Sequence, residues 1–282
     1  MIMFERIPSK LLLAGEYSVL FGGKALAEPY VSRSGHLTLD KDQNTDLNRL
    51  LREYLVYLKV ESPSWQSLVE FDFESLETHI NNGLNLATNI PLGYGLGSSG
   101  VFCVALIRAF GRIKISEHDS DYLAKLKFLL GRMEDFFHKP SSGLDPLVSF
   151  VNQPILLKDK SDKSIETVEK VEHKFGLVDT KVARSTAHFV GIFKNKMENQ
   201  EFKMAFENLL VINNELIANI LGQHQDKVKA TMYELSTWQL SYMQEMIPTD
   251  FLSNWKKQLA EGKDFYKING AGGGGYLMQW LD

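Results

Sequence analysis

The sequence predicts a mixed α+β chain of two halves. Two observations indicate this class. Strand-type apolar segments occur near both ends of the chain, whereas long stretches between them carry apolar residues at helical spacing. Of the 282 residues, 44% are hydrophobic and 23% are charged, a balance typical of globular chains that bury a core without disulfides.

The first half is expected to begin with strands and to continue with helices. Short apolar runs broken by Gly15 and bounded by turn residues predict strands over 1–6, 10–14, 17–21 and 71–73. Leucines three or four residues apart, or an unbroken apolar run, predict helices over 43–60, 99–110 and 121–137. The charged stretch 158–174 is interpreted as an exposed hairpin, which places a domain boundary between residues 1–155 and 156–282.

The second half repeats the mixture in a different order. The predicted strands cover 187–193, 265–268 and 276–280. The predicted helices cover 200–222, 225–246 and 250–260. Strands therefore enclose a helical block, as expected for an α+β half.

Composition excludes several functional classes. Cys103 is the only cysteine, so neither an intramolecular disulfide nor a thiolate zinc site can form, which favours a reducing, cytoplasmic setting. The net charge is -4 without a long basic block, so nucleic acid is not an expected partner. No apolar run reaches the roughly 20 residues of a membrane span, and Glu5 and Arg6 interrupt any signal sequence.

Glycines are concentrated in two clusters. The first lies in Pro91-Leu92-Gly93-Tyr94-Gly95-Leu96-Gly97-Ser98-Ser99-Gly100, directly before an apolar helix, and the second in Gly-Ala-Gly-Gly-Gly-Gly at 270–275. Glycine lets backbone N–H groups approach a ligand, and a helix N-terminus adds partial positive charge. The first cluster therefore predicts a phosphate-binding loop, with a serine-capped turn before a core helix as the alternative.

Two common phosphate loops do not fit the first cluster. The dinucleotide fingerprint requires glycine at the position of Ser98, and the Walker A loop requires a lysine that this segment lacks. A different type of phosphate loop is needed.

A third segment, near the start, completes a pattern with the two clusters. It reads Lys10-Leu11-Leu12-Leu13-Ala14-Gly15-Glu16-Tyr17-Ser18-Val19-Leu20. We refer to this segment as motif 1, to 91–100 as motif 2 and to 270–275 as motif 3. In this order the three resemble the motifs of the GHMP kinases, the family that contains galactokinase, homoserine kinase, mevalonate kinase and phosphomevalonate kinase.

The resemblance implies a fold and a pair of ligands. The fold is the two-domain α+β GHMP kinase fold, with an N-terminal domain like ribosomal protein S5 and a ferredoxin-like C-terminal domain. ATP is the phosphoryl donor and Mg²⁺ its metal. The residues implied to bind the nucleotide are those of motif 2, namely Pro91, Gly93, Gly95, Leu96, Gly97, Ser98, Ser99 and Gly100.

A catalytic group is implied by a further similarity. Glu134 and Asp145 lie 11 residues apart, separated by Pro-Ser-Ser-Gly, which resembles the mevalonate kinase pattern. This implies that Glu134 binds Mg²⁺ together with the Ser99 hydroxyl, and that Asp145 is catalytic and pairs with Lys10. Without the resemblance, these residues read as an exposed helix glutamate, a turn aspartate and a solvated strand lysine.

The acceptor side is implied by residues in all three parts of the chain. They are Glu16 in motif 1, Arg184 and Thr186 before a predicted strand, and Gly272 and Gly273 in motif 3. A guanidinium suits a carboxylate-bearing acceptor. Tyr17 departs from mevalonate kinases, which commonly carry histidine there. A strand-edge polar cluster at 184–186 and a flexible β-turn at 270–275 are the alternatives.

The resemblance thus implies an ATP- and Mg²⁺-dependent kinase of a small alcohol, with mevalonate as the first choice of acceptor. Phosphomevalonate kinase, another GHMP kinase, a related decarboxylase and a nucleotide-binding relative without catalysis are the alternatives. The expected partner is a small-molecule alcohol, with neither nucleic acid nor membrane. The oligomeric state is left open, a homodimer included.

Overall fold

The computed structural model describes residues 4–40, 45–137, 139–159, 164–170, 172–183 and 186–281. The helices are α1 Thr45–Glu61, α2 Phe73–Asn81, α3 Ser98–Phe110, α4 Tyr122–Glu134, α5 Leu144–Val151, α6 Thr186–Lys196, α7 Gln200–Leu221, α8 Gln225–Tyr242 and α9 Thr249–Ala260. The strands are β1 Ile7–Ala14, β2 Ala25–Leu39, β3 Val69–Phe71, β4 Leu84–Thr88, β5 Gly111–Ile113, β6 Ile155–Leu157, β7 Ile165–Thr167, β8 Phe175–Asp179, β9 Tyr266–Ile268 and β10 Tyr276–Trp280. Among these residues, no helix is both long and apolar enough to span a membrane.

The mixed α+β class and most elements are confirmed, and four local predictions are wrong. Among the described residues the first strand begins at Ile7, so residues 4–6 are not in a strand, and residues 1–3 of the predicted strand lie outside the described residues. Residues 17–21 form a 3₁₀ turn over Ser18–Phe21 instead of a strand. Only Val69–Phe71 is a strand near 71–73, since Asp72 caps helix α2 by accepting Ser75 N–H. Residues 187–193 lie in helix α6.

The chain divides into two units that are each discontinuous in sequence. Unit 1 consists of Met1–Lys10, Pro29–Ile90 and Gly97–Gln153, and unit 2 of Leu11–Glu28, Pro91–Leu96 and Pro154–Asp282. The sequence-based boundary between 155 and 156 stays a prediction.

Unit 1 is built around helix α3. Its residues from Gly100 to Ile107 are all buried, and α4 and α5 pack against it. The second half of β2 pairs antiparallel with β4, and β3 pairs with β5. Tyr54 on α1 is fully buried, and its hydroxyl donates to the Met133 carbonyl at 3.1 Å. This bond fixes the last turn of α4, the turn that carries Glu134.

Unit 2 combines a three-stranded antiparallel sheet with a helical layer. The strand order is β8-β10-β9, and helix α8 packs against α7, α9 and β9. The start of β2 pairs with β6, which pairs with β7. Only β7 lies within 158–174, where an exposed hairpin was predicted, because the buried strand β6 comes before that stretch. A cluster of aromatic rings around Phe193 of α6 forms part of the core, with Tyr17, Phe21, Phe202 and Phe206 in contact.

Candidate active site

Helix α3 begins with the residues predicted to bind phosphate. Gly97 caps the helix in the left-handed region with φ of 73°, and Ser98 and Ser99 form its first turn. The first N–H groups of a helix have no intrahelical acceptor and carry its positive end. Gly97, Ser98, Ser99 and Gly100 therefore form a site suited to an anion.

Two glycines of this segment permit close approach of neighbouring groups. A Cβ at Gly97 would lie 3.1 Å from Lys10 Cγ and 3.3 Å from Asp145 Oδ2. A Cβ at Gly100 would lie 2.9 Å from Pro146 N. Glycine at both positions lets helix α3 start directly beside the charged pair of Lys10 and Asp145.

Lys10 and Asp145 form an ion pair, with Lys10 Nζ 3.0 Å from Asp145 Oδ1. The Lys10 side chain is 5% exposed, whereas that of Asp145 is 33% exposed. Asp145 lies in the first turn of α5, where the helix dipole favours a carboxylate. The lysine is thus fixed by the fold, and the carboxylate keeps access to solvent or substrate.

Glu134 is buried at the end of α4, and its carboxylate accepts hydrogen bonds from two hydroxyl groups. Ser99 Oγ donates to Oε1 at 2.7 Å, and Ser141 Oγ donates to Oε2 at 2.6 Å. Burial raises the pKa of Glu134 from 4.5 to about 7, and the negative charge of Asp145 adds to the effect. A cation beside this carboxylate would therefore be favoured.

Ser141 is a site residue that the sequence did not single out. Its backbone N–H donates to Asp135 Oδ1 at 2.7 Å, and its Oγ also accepts Gly143 N–H at 3.0 Å. Arg132 Nη1 holds the other oxygen of Asp135 at 2.7 Å. The Pro-Ser-Ser-Gly segment was the available signal, although it could not tell which serine reaches Glu134.

These oxygen atoms suit Mg²⁺ held together with a nucleotide. In the part of the chain that the structure describes, no three His, Cys, Asp or Glu side chains group as an all-protein metal site. Mg²⁺ prefers oxygen ligands and is usually held by one or two carboxylates plus substrate phosphates. The Glu134 carboxylate and the Ser99 hydroxyl fit such a partial ligand set.

The remaining motif 2 residues lie in unit 2. Gly93 and Gly95 have φ of 77° and 76°, and Leu96 is buried. Tyr94 packs edge-on against Tyr276, with ring centroids 5.2 Å apart. The structure therefore explains the glycines at 93 and 95 by backbone conformation, and nucleotide contacts of Pro91, Gly93, Gly95 and Leu96 stay a prediction.

Motif 3 is held by protein groups rather than left open. Gly273 N–H donates to the Met246 carbonyl at 2.5 Å, and Gly275 N–H donates to the Val182 carbonyl at 2.6 Å. A Cβ at Gly273 would lie 1.9 Å from the Phe189 ring, and one at Gly272 would lie 2.7 Å from the Met246 carbonyl oxygen. Substrate contact by Gly272 and Gly273 stays a prediction.

Glu16 and Tyr17 of motif 1 are also buried in unit 2. Tyr17 has φ of 61°, stacks on Phe193 at 4.1 Å, and donates its hydroxyl to the Ala271 carbonyl at 2.6 Å. Glu16 pairs with the fully buried Lys267. This lysine is a second residue that the sequence did not single out.

Of the two acceptor residues predicted at 184 and 186, the structure describes only the second. Arg184 lies outside the described residues. Thr186 is the first residue of helix α6, so the strand expected after it is replaced by a helix.

Comparison with known protein families gives a match to one segment of the chain. Residues 66–153 match the family model described as GHMP kinases N terminal domain. Among curated proteins, the mevalonate kinase of Thermococcus sibiricus is 28% identical over an alignment of 180 positions, which covers 57% of this chain and 53% of that protein. The mevalonate kinase of Arabidopsis thaliana is 26% identical over an alignment of 349 positions including gaps, which covers 98% of this chain and 90% of that protein. The match spans about half the length of the archaeal relative.

Two solved structures have the same fold. The L. major mevalonate kinase in complex with R-mevalonate has a TM-score of 0.65 at 15% identity, covering 100% of this chain and 87% of that one. The Streptococcus pneumoniae phosphomevalonate kinase has a TM-score of 0.65 at 18% identity, covering 100% and 92%. The resemblance to the GHMP kinases and the two-domain α+β fold are thereby confirmed.

Proposed function

We propose that this chain, which carries a GHMP kinase N-terminal domain at residues 66–153, is an ATP- and Mg²⁺-dependent kinase of a small alcohol. The observation that carries the proposal is the ion pair of Lys10 and Asp145 at 3.0 Å, directly beside the N-terminus of α3. Phosphoryl transfer requires positioning and charge stabilisation more than covalent chemistry. An anion site next to a carboxylate and an ammonium meets both needs.

The nucleotide phosphates are assigned to the N-terminus of α3. Gly97, Ser98, Ser99 and Gly100 supply backbone N–H groups there, and the helix dipole favours negative charge. Glu134 and Ser99 would hold Mg²⁺, whose chemistry when bound is to neutralise charge on the β- and γ-phosphates. Ser141 would keep the Glu134 carboxylate in place through its 2.6 Å hydrogen bond.

Asp145 is assigned to the acceptor hydroxyl. The acceptor oxygen forms a bond to the γ-phosphorus, the bond from that phosphorus to the β–γ bridging oxygen breaks, and ADP leaves. Asp145 accepts the hydroxyl proton, for which its partly exposed carboxylate is suited. Lys10 fixes this carboxylate and offsets negative charge that develops on the phosphoryl group.

Mevalonate is the acceptor that we propose first. The two curated relatives described above are mevalonate kinases, and the Glu134 to Asp145 interval resembles that of the same group. Phosphomevalonate is the second candidate, because the Streptococcus pneumoniae enzyme matches the fold equally well. The two differ by a phosphate on the acceptor, so a direct assay separates them.

The test is an acceptor panel. Purified protein is incubated with ATP and Mg²⁺ plus mevalonate, phosphomevalonate, homoserine or a sugar, and ADP is measured. We expect ADP that depends on mevalonate and on Mg²⁺. ADP formation with phosphomevalonate alone would establish the second candidate. If none of the acceptors caused ADP formation, a nucleotide-binding relative without catalysis would be favoured.

A further inference from the structure

A buried ion pair joins two segments of unit 2 that lie 251 residues apart in sequence. Lys267 on β9 is fully buried, and the paired Glu16 side chain is 3% exposed. The Lys267 ammonium contacts Glu16 Oε1 and also donates to the carbonyls of Leu12 at 3.2 Å and Ile268 at 3.1 Å. These three acceptors equal the three N–H donors of an ammonium.

The same pair fixes the end of motif 1. Gly15 has φ of 120°, and a Cβ there would lie 2.6 Å from Ala25 Cα, so the chain must turn at this glycine. The Glu16 carbonyl accepts Ser18 N–H at 2.7 Å. Both the backbone and the carboxylate of Glu16 are therefore held in one position.

Lys267 also fixes the strand that leads into motif 3. Strand β9 ends at Ile268, whose N–H donates to Gln239 Oε1 at 2.8 Å. Motif 3 begins two residues later, at Gly270. One lysine thus ties the glutamate of motif 1 to the approach of motif 3.

Stability alone does not explain charges at this place. Removing two charges from water costs free energy that their attraction repays only in part, and apolar residues of equal volume often stabilise a core as well or better. The neighbouring core positions Leu13, Ile268 and Leu277 are apolar and 0% exposed. A charged pair among them is expected to serve geometry, by keeping a carboxylate in one orientation.

We propose that Lys267 is a positioning residue for the acceptor and acts through the Glu16 carboxylate. This inference rests on the proposed function and on the prediction, implied by the resemblance to the GHMP kinases, that the Glu16 carboxylate contacts the acceptor. Lys267 itself does not touch substrate, since its ammonium is directed at protein oxygens. Its loss should therefore weaken acceptor binding and leave nucleotide binding unchanged.

The test combines three variants and one matched control. Lys267→Met, Glu16→Gln and the double variant are compared with Leu216→Ala, which opens a cavity at a fully buried position on α7 of the same unit. KM for the acceptor identified by the panel, KM for ATP and Tm are measured for each. Leu216→Ala shows what loss of stability alone does to the kinetics.

We expect Lys267→Met to raise the acceptor KM about 10-fold or more while the ATP KM changes less than about 2-fold. Its Tm should fall, because Glu16 is left buried without its ion pair. In the double variant the Tm should recover, whereas the acceptor KM should remain as high as in Glu16→Gln. Leu216→Ala should lower Tm without raising the acceptor KM.

An unchanged acceptor KM in Lys267→Met would overturn the inference. So would a double variant in which both Tm and acceptor KM return to the wild-type values, because the pair would then be structural only. If Lys267→Met does not fold, the comparison of Glu16→Gln with the double variant decides in the same way. A wild-type protein without acceptor-dependent ADP would refute the proposed function and this inference together, whereas an active wild type separates the two.

Discussion

The two glycine clusters have similar composition and different physical reasons for it. At the start of α3, the bare backbone of Gly97 faces the side chains of Lys10 and Asp145, one of which is a third exposed. In motif 3, the bare backbone of Gly273 faces the ring of Phe189, and its N–H is bonded to Met246. The first cluster supports a charged group open to a ligand, and the second supports close packing of the protein on itself.

A high glycine content alone therefore does not indicate that a loop binds a ligand. The functional argument for the first cluster comes from the pair of Lys10 and Asp145 and from the hydroxyl contact of Ser99 to Glu134. Motif 3 lacks such groups among its own side chains, since it contains only glycine and alanine. Substitutions in the first cluster should therefore change turnover, and those in motif 3 should change stability.

The largest expected effect is that of Asp145→Asn. Loss of the carboxylate that we propose as the acceptor of the hydroxyl proton should lower kcat by about 10³-fold, with ATP affinity close to that of the wild type. Steady-state kinetics and nucleotide titration measure both. Asp121→Asn, at an aspartate paired with Lys125 on the surface of the same unit, is the control, and equal kinetics in the two variants would remove Asp145 from the mechanism.

Gly273→Ala tests the packing role of motif 3. A left-handed φ of 78° and a Cβ 1.9 Å from Phe189 should together destabilise the fold by about 2–5 kcal/mol. Urea unfolding measures the loss. Gly191→Ala is the matched control, because nothing lies within 4 Å of a Cβ there and alanine is favoured over glycine in helix α6 by about 1 kcal/mol.

Gly273→Ala with unchanged stability would contradict the packing account. Greatly reduced stability with a wild-type acceptor KM in the folded fraction would support it. An acceptor KM raised without any loss of stability would instead favour direct substrate contact by this glycine.

The raised pKa of Glu134 predicts that the free energy of unfolding depends on pH in the protein without metal and nucleotide. Its pKa of about 7 exceeds the ordinary 4.5, so between these values the folded protein holds a proton that the unfolded chain has lost. The stability from this group is complete below about pH 4.5 and is lost as pH rises through about 7, in total about 3 kcal/mol. Urea unfolding from about pH 5 to about pH 8 should show this loss in the wild type.

Glu134→Gln is the reference for that measurement, because its side chain does not titrate. As pH rises, the free energy of unfolding of the wild type should fall further and further relative to that of this variant. A difference between the two proteins that stays constant over the range would refute the burial of an ionisable Glu134.

The smallest expected effect is that of Tyr17→Phe. It removes the 2.6 Å hydrogen bond to the Ala271 carbonyl and keeps the stacking on Phe193. We expect a loss of about 1–2 kcal/mol in the free energy of unfolding, because the carbonyl loses a buried donor. Tyr233→Phe, at a tyrosine 45% exposed, is the control and should change stability little. An equal loss of stability in both variants would argue that the hydrogen bond from Tyr17 does not stabilise motif 3.

The sequence predicted the regular elements well and failed where local patterns were ambiguous. Residues 187–193 are rich in aromatic and β-branched types, which favour a strand, but Phe189 and Phe193 are four residues apart and lie in helix α6. Residues 17–21 look like a strand until the positive φ of Tyr17 and the left-handed Gly22 are known. Pro146 was an unused signal, since proline in a first turn favours a helix start at Leu144.

The candidate site was predictable only as far as its motifs reach. The resemblance gave Lys10, Ser99, Glu134 and Asp145, and the structure brings them together as two contacting pairs in unit 1. The burial of Lys267 could not be predicted from the residues around it, because a lysine on a strand is expected at the surface. Its burial depends on the ion pair with Glu16, at the other end of the sequence. Contacts over that separation follow from the fold and not from local pattern.

The most direct test of the central claim is ³¹P NMR of the wild-type protein with ATP, Mg²⁺ and mevalonate. A phosphomonoester signal is expected to appear in step with ADP, and Asp145→Asn is expected to suppress both. Inorganic phosphate formed at the same rate with and without mevalonate, together with no new phosphomonoester from any alcohol of the panel and no diphosphate from phosphomevalonate, would contradict the proposed phosphoryl transfer.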